Sequence, residues 1–414
     1  MRARMRATST AMAMAPTTEL SRRALFSGGA AGVGAAVGAA LGAGALAGAG
    51  GAAAIEAGRD STFGGEALAC HGAHQAGIVT APAAHIRYLA YELRGDADAA
   101  ALQRLFRVLT GDIEGLTSGD APLADPEPEL AIRPSRLAIT VGVGRGLMDR
   151  IDSALAPEWL APLPAFSRDA LGTGFDGGDL LLMVQADDLL PMAHASRMLG
   201  RDIASFATPL WRQQGFRGAR GADAEGATMR NLMGQLDGTV QPADHEHEAL
   251  IWLGDESGPL AGGTAFVLRR IRMELDTWDR VDRPGREQSI GRRLDDGSPL
   301  SAPPGSGEHA EADFGRSDEA GLSAIPLAAH MRRAHSSDPS ERILRRSDNF
   351  EQGDESGLLF GCFQRDPLRQ FVPIQRRLDE ADLLNEWITH TGSAVFALLP
   401  GFAPGETLGA RLFT

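Results

Sequence analysis

The chain has 414 residues, 43% of them hydrophobic, which exceeds one ordinary core and accommodates two or three folding units. Its 40 basic and 54 acidic residues give a net charge of −14, which argues against nucleic acid or an anionic membrane surface as a partner. With only Cys70 and Cys362 present, a disulfide framework and a Cys-rich zinc site are both excluded. Cys362 lies in an apolar run over residues 357–363 and reads as a buried small hydrophobe, while a single Cys70–Cys362 bridge stays open.

Residues 1–57 stand apart from the rest. Arginines at positions 2, 4 and 6 precede Ser21-Arg22-Arg23-Ala24-Leu25-Phe26, and a Gly/Ala tract without charge runs over 27–54. The pattern resembles a twin-arginine export signal, with cleavage expected near 52–57 and a tract too weakly hydrophobic for a membrane anchor. That route carries folded proteins, often with a cofactor already seated. The expected destination is the periplasm, the cell envelope or the medium, and no stable membrane insertion is expected of the mature chain.

Beyond the signal, strand-like and helical stretches alternate. Residues 86–93 predict a strand, 97–110 a helix, and 137–143 a strand followed by a helical start at Gly146-Leu147-Met148. Residues 179–186 form another expected strand, with Leu181, Met183 and Gln185 alternating against Leu180, Leu182 and Val184, and 189–205 a helix. The plan then repeats. Residues 264–275 predict a strand, 278–293 a helix interrupted at Pro284-Gly285, 358–364 a strand, 378–391 a helix and 394–398 a strand. Residues 298–319, rich in Pro, Gly, Ser and acidic groups, predict a long surface loop. The expected class is α+β, with duplicated ferredoxin-like domains and antiparallel sheets, divided as 58–220 and 221–414.

Three segments carry candidate chemistry. In Gly234-Gln235-Leu236-Asp237-Gly238 the two glycines allow turns that side chains forbid and let a flat ligand approach closely; taken alone, the segment also fits a surface Asp-Gly turn. His330 stands in Ala329-His330-Met331-Arg332-Arg333, and an imidazole can bind a metal through one nitrogen while the other donates to a carboxylate or carbonyl. The candidate acceptors of that second proton are Asp382, Glu386 and His390. Arg342-Ile343-Leu344-Arg345-Arg346 clusters three guanidinium groups, which on a surface would be solvated or paired with acids.

In this order, and with matching stretches at 71–78, 177–180, 261–272, 370–375 and 392–401, these segments resemble the dye-decolorizing (DyP-type) haem peroxidases over roughly everything from Cys70 to Thr414. The resemblance implies haem b in a pocket mainly in the C-terminal half, with His330 as the proximal iron ligand and Gly234 and Gly238 beside the ring. It implies Asp237 as a distal acid/base that relays a proton between the oxygens of hydrogen peroxide, and Arg345 as a distal donor that stabilises the developing charge. A reducing substrate such as a dye, a phenolic or ferrous iron is the second reactant. The similarity is greatest to an exported branch associated with bacterial iron uptake. It therefore also implies a haem-binding or iron-acquisition role with secondary peroxidase activity, an uptake permease or iron-binding partner, and a homo-oligomer.

The departures are local. Gln235 stands where the family often has Phe, Gln241 where it has Asn, Arg333-Ala334 where it has Leu-Ala, and His335 offers a rival ligand. Asp244-His245-Glu246-His247-Glu248 would present two imidazoles on one face if it were a strand, and otherwise reads as a hydrated connector. His71 and His74 read as loop-ordering residues, and Gly142-x-Gly144-x-Gly146 lacks the spacing of a dinucleotide site. Trp252, Trp278, Trp387, Tyr88 and Tyr91 are candidates for long-range electron transfer, with packing as their default role.

Overall fold

A computed structural model describes residues 63–224, 226–317 and 320–414. The expected export signal lies outside the described residues. Among those described, no helix is long and apolar enough to cross a membrane.

The N-terminal half runs β1 (His85–Leu93), α1 (Ala99–Ser118), β2 (Ala138–Val143), α2 (Arg145–Ile151), β3 (Leu180–Ala186), α3 (Leu189–Ile203) and β4 (Ala207–Phe216). After a linker holding α4 (His247–Leu250) come β5 (Thr264–Met273), α5 (Leu275–Trp278), α6 (Arg283–Ile290), α7 (His330–Ala334), β6 (Leu344–Gln352), β7 (Glu355–Gln364), α8 (Phe371–Ala381) and β8 (Ile388–Leu398). The strands close into one antiparallel ring in the order β1-β3-β2-β8-β5-β7-β6-β4. Within it, β4-β1-β3-β2 and β8-β5-β7-β6 repeat one order, that of a ferredoxin-like unit, so the fold is the expected duplicated α+β arrangement. The two sheets meet through Gly142↔Leu398 and Val143↔Ala397 at one edge and Phe216↔Asn349 at the other, which removes exposed strand edges.

Closure explains the continuous apolar runs. Every residue of β2 and β3 is buried, because one face packs on helices and the other lines the ring. Inside, Tyr88 stacks near Phe266 at 6.0 Å and Phe266 meets Phe363 at 5.0 Å, and each fully buried aromatic contributes roughly 1.5–3 kcal/mol. Outside, α1 buries Leu102, Leu105, Phe106, Leu109, Ile113 and Leu116, a helical stripe. Its start is fixed by the Asp98 carboxylate, which accepts from Ala101 N at 2.7 Å, and its end by Gly119 in the left-handed region.

Several boundaries differ from the sequence expectation. The helix expected at 378–391 is instead Phe371–Ala381, and a strand already begins at Ile388. Asp382 causes the break: it leaves helical geometry and its Oδ1 accepts from Leu384 N at 2.9 Å, starting a separate 3-10 turn over Leu383–Glu386. Pro284 does not interrupt a helix. It lies in the first turn of α6, where its missing N–H costs nothing, and the break falls at 279–282, with Asp282 capping Gly285 N at 2.9 Å. β4 was not foreseen: its exposed Thr208, Pro209 and Leu210 obscure the alternation. β6 was also missed, because Arg345, Arg346 and Asp348 lie within it. The segment from 298 is irregular but not wholly on the surface, since Ser298 and Ser301 are buried. Cys70 and Cys362 are both buried and free, so the bridge is absent.

Candidate active site

The Asp237 segment is a small hairpin. Arg230 bridges Leu236, Asn231 N donates to Gln235 O at 2.9 Å, and Gly234 N donates to Asn231 O at 2.9 Å, with Gly234 at φ +83°. The Asn231 side chain holds the turn from within, its Oδ1 accepting from Met233 N at 3.1 Å and Gln235 N at 3.2 Å. Its Nδ2 donates to Asp237 Oδ2 at 3.3 Å, which orients the carboxylate. Arg230 clamps the hairpin by donating to Gly234 O, Leu294 O and Asp295 O at 2.7–2.9 Å. Asn349 on β6 docks it on the sheet, accepting from Leu232 N at 3.1 Å and donating to Arg230 O at 3.0 Å.

Gln241 ties this segment to Arg345. Its Nε2 donates to Gly238 O at 2.8 Å and Arg345 O at 3.1 Å, and its Oε1 accepts from Arg345 N at 2.9 Å. The Arg345 guanidinium returns to the same segment by donating to Val240 O at 3.0 Å. A Cβ on Gly238, at φ +112°, would stand 3.3 Å from the bridging Gln241 Nε2, so a side chain there would press on the bridge. The sequence marked Gln241 only as a departure, and its bridging role was not legible there.

His330 opens α7, and its Nδ1 meets Asp382 Oδ2 at 2.6 Å. Of the three candidate acceptors, Asp382 is the one in contact. Glu386 pairs instead with Arg168 at 3.6 Å, and His390 is buried beside Arg269 and Asp169. Burial, and then Arg269, push His390 down to about 3, so it stays neutral. Burial likewise presses the His330 imidazole down, but the charge and hydrogen bond of Asp382 outweigh it and the net shift is upward. Asp237 adds to that rise and Arg345 opposes it, so both lie within electrostatic reach of the imidazole. The Asp382 side chain is 1% exposed, whereas 31% of the His330 side chain is accessible, so the carboxylate is buried behind a ring that stays open to a ligand.

The other candidates are engaged elsewhere. Arg342 pairs with Glu246 and donates to Gln241 O. Arg346 is not a solvated or acid-paired surface group, because it donates to Ile78 O and Thr80 O, and burial followed by Arg217 brings it down to about 10. His335 packs its ring 4.6 Å from Phe314, and burial followed by Arg377 lowers its pKa. His245 and His247 fall in successive short helical turns, so they do not share a strand face, and among the described residues they join no three-ligand cluster. His71 bonds Glu114 at 2.8 Å, and His74 bonds Gly262 O at 2.7 Å and stacks on Trp252, both ordering loops. The 298–317 stretch contributes Glu308, which accepts from Thr239 Oγ1 at 2.8 Å and so steadies the turn after Asp237.

These residues fit haem, whose iron the His330 imidazole would hold. His330 has Nδ1 fixed by a buried carboxylate, and Nε2 forms no hydrogen bond with the described residues, the arrangement of an oriented metal-binding imidazole. At Gly234 a Cβ would meet nothing nearer than Leu294 Cδ2 at 3.8 Å, so this side of the turn is open.

Comparison with known proteins gives the family. Residues 75–217 match the N-terminal model, and 228–403 the C-terminal model, of the Dyp-type peroxidases. A dye-decolorizing peroxidase of Thermobifida fusca is 37% identical over 348 residues, covering 78% of this chain and 79% of that one. A deferrochelatase of Escherichia coli K12 is 31% identical over 361 residues, covering 80% and 83%. The crystal structure of a DyP-type peroxidase from Cellulomonas bogoriensis aligns with a TM-score of 0.83 at 46% identity, covering 85% of this chain and 99% of that one. The chain belongs to the DyP-type peroxidase family. It is a haem-dependent peroxidase, and its cofactor is haem b.

Proposed function

We propose that His330 is the proximal iron ligand, Asp237 the distal acid/base and Arg345 the distal charge donor of an exported peroxidase. The observation that carries this reading is the His330–Asp382 pair, at 2.6 Å, lying within electrostatic reach of both Asp237 and Arg345. Haem held there would supply the redox chemistry that couples the two-electron reduction of hydrogen peroxide to one-electron oxidation of the reducing substrate. Asp382 keeps the His330 proton on Nδ1, so that Nε2 presents a basic lone pair. Asp237, steadied by Asn231, takes the proton from one peroxide oxygen and returns it to the other. Arg345, aligned through Gln241, offers fixed donors to the negative charge that develops as the O–O bond breaks. Gly234 and Gly238, both at positive φ and without side chains, would let the segment approach the haem closely.

Rapid mixing with peroxide tests the acid/base role. The Asp237→Ala protein should retain haem and react about 100-fold or more slowly, in the range of a lost general acid/base, and an unchanged rate would remove Asp237 from the mechanism.

Dyes, phenolics and ferrous iron are the proposed reductants. The similarity to proteins named deferrochelatase supports a second reading, in which the chain handles haem or iron for an uptake system and peroxidase activity is secondary. Faster peroxide-driven oxidation of ferrous ion than of dyes, or a permease encoded alongside, favours that reading. Export through the twin-arginine route rests on the sequence of residues 1–57. Replacing Arg22 and Arg23 by Lys should hold the protein in the cytoplasm, and unaltered export of that variant would refute the route. A homo-oligomer is proposed on family resemblance, and sedimentation of the mature protein tests it.

A further inference from the structure

We propose that Glu308 is a specificity-determining residue of the distal side: its carboxylate offsets the guanidinium charge there, so that neutral hydrogen peroxide is admitted ahead of anions. The proposal rests on the distal reading of Asp237 and Arg345 given above. Glu308 lies in the irregular stretch between α6 and α7, which one side chain folds into shape. The Asp296 carboxylate accepts from Ser298 N at 2.9 Å and from Gly307 N at 3.3 Å, closing the stretch on itself. Gly297 lets the closed stretch press on the Asp237 segment, since a Cβ there would stand 2.5 Å from Leu236 Cδ1 and 3.0 Å from Glu308 Cβ.

Glu308 and Arg345 reach that segment at adjacent residues. Glu308 Oε2 accepts from Thr239 Oγ1 at 2.8 Å, and the Arg345 guanidinium donates to Val240 O at 3.0 Å. Arg292 joins them from just beyond α6, its Nη1 donating to Gly297 O at 2.7 Å and to Glu308 O at 2.8 Å. Burial lowers the Arg292 pKa most, Arg345 lowers it further and Glu308 raises it, so these charges act on one another. Among the described residues Arg292, Arg345, Asp237 and Glu308 form no ion pair. Carbonyl partners satisfy the guanidinium donors but leave their charge in place.

Two cations therefore stand against two carboxyl groups. Without Glu308 the cations would dominate, and the distal side would draw in halides and other small anions that compete with peroxide. Hydrogen peroxide is neutral at neutral pH and gains nothing from such a field. The carboxylate thus selects the substrate by charge.

Glu308→Gln is the discriminating variant, because its amide oxygen still accepts from Thr239 while the charge is gone. Fluoride and nitric oxide, titrated separately into the haem-loaded ferric protein at fixed neutral pH, compare an anionic with a neutral ligand through the Soret band. Fluoride should bind this variant at least about threefold more tightly than the wild type, and nitric oxide equally. Arg345→Leu, the opposite change of charge, should weaken fluoride binding. Unchanged fluoride affinity in Glu308→Gln beside a weakened one in Arg345→Leu would overturn the proposal and leave the distal reading standing. A parallel change for fluoride and nitric oxide would overturn it too, by showing a disturbed pocket in place of a lost charge. If Arg345→Leu binds fluoride as the wild type does, the distal reading of Arg345 fails and the proposal fails with it.

Discussion

The two halves share one strand order and differ in what covers their sheets. On the N-terminal sheet lie two long crossover helices, α1 and α3, and their buried faces join a large cluster that includes Leu105, Phe106, Leu109, Met198 and Leu199. In the C-terminal half the first crossover, between β5 and β6, is broken into α5, α6, an irregular stretch and α7. The cluster that takes in Trp278 and Ile290 of that crossover is small, with Met233, Met273, Leu358 and Ile388, while Phe371 and Val372 of α8 join the large one. Where one half uses a continuous apolar helix face, the other uses short pieces held by hydrogen bonds such as those of Arg230, Asn231 and Gln241. A duplicated fold can thus devote one copy to stability and open the other around polar groups, and the proposed haem residues all follow the N-terminal unit.

This contrast can be broken by substitution. The largest effect should come from the filled half: Phe106→Ala removes a fully buried ring and should cost about 3–5 kcal/mol in denaturant unfolding, without altering the haem spectrum of the folded protein. A loss of haem with little loss of stability would reverse the assignment of roles. Next, Asp382→Asn keeps the shape but removes the charge that fixes His330, and should weaken haem retention about 10–100-fold, read by transfer of haem to an acceptor protein. Unchanged retention would mean that Asp382 only ends α8. Smaller again, Gln241→Ala should cost roughly 1–3 kcal/mol by leaving the Arg345 backbone groups unpaired and should slow the peroxide reaction, while an effect on stability alone would confine Gln241 to structure.

The smallest effect concerns pH in the filled half. Burial, and then the hydrogen bond and charge of the neighbouring Asp112, raise the Asp202 carboxyl to about 8, so Asp202, on α3 facing α1, holds its proton at neutral pH. Because the folded pKa lies above the unfolded one, this stabilisation is full below the ordinary carboxylate range and is lost as pH rises through about 8. The wild-type Tm should therefore fall between neutral and mildly alkaline pH, and Asp202→Asn should flatten that fall. Equal slopes for the two proteins would show that Asp202 does not link folding to pH.

Much of the N-terminal half was legible because its chemistry is periodic. The stripe of α1 and the apolar run of β3 each state their element directly. The C-terminal half was harder to read for the reason it is useful. Asp382 spends its carboxylate on His330 and Leu384 N, so a residue that looked like helix interior is a terminator. β6 carries Arg345, Arg346, Asp348 and Asn349 to anchor segments far away in sequence, which hides its strand pattern. Asp237, His330 and Arg345 could be named from motif register, whereas their mutual reach depends on Gln241 and Asn349, whose partners lie more than 100 positions away.

The proposed haem site turns on His330. The most direct measurement is the visible spectrum of the His330→Ala protein, purified with haem supplied during expression and checked for folding by circular dichroism. A folded protein without a stoichiometric Soret band is the predicted result, and a folded variant with the wild-type band and haem content would contradict the ligand assignment.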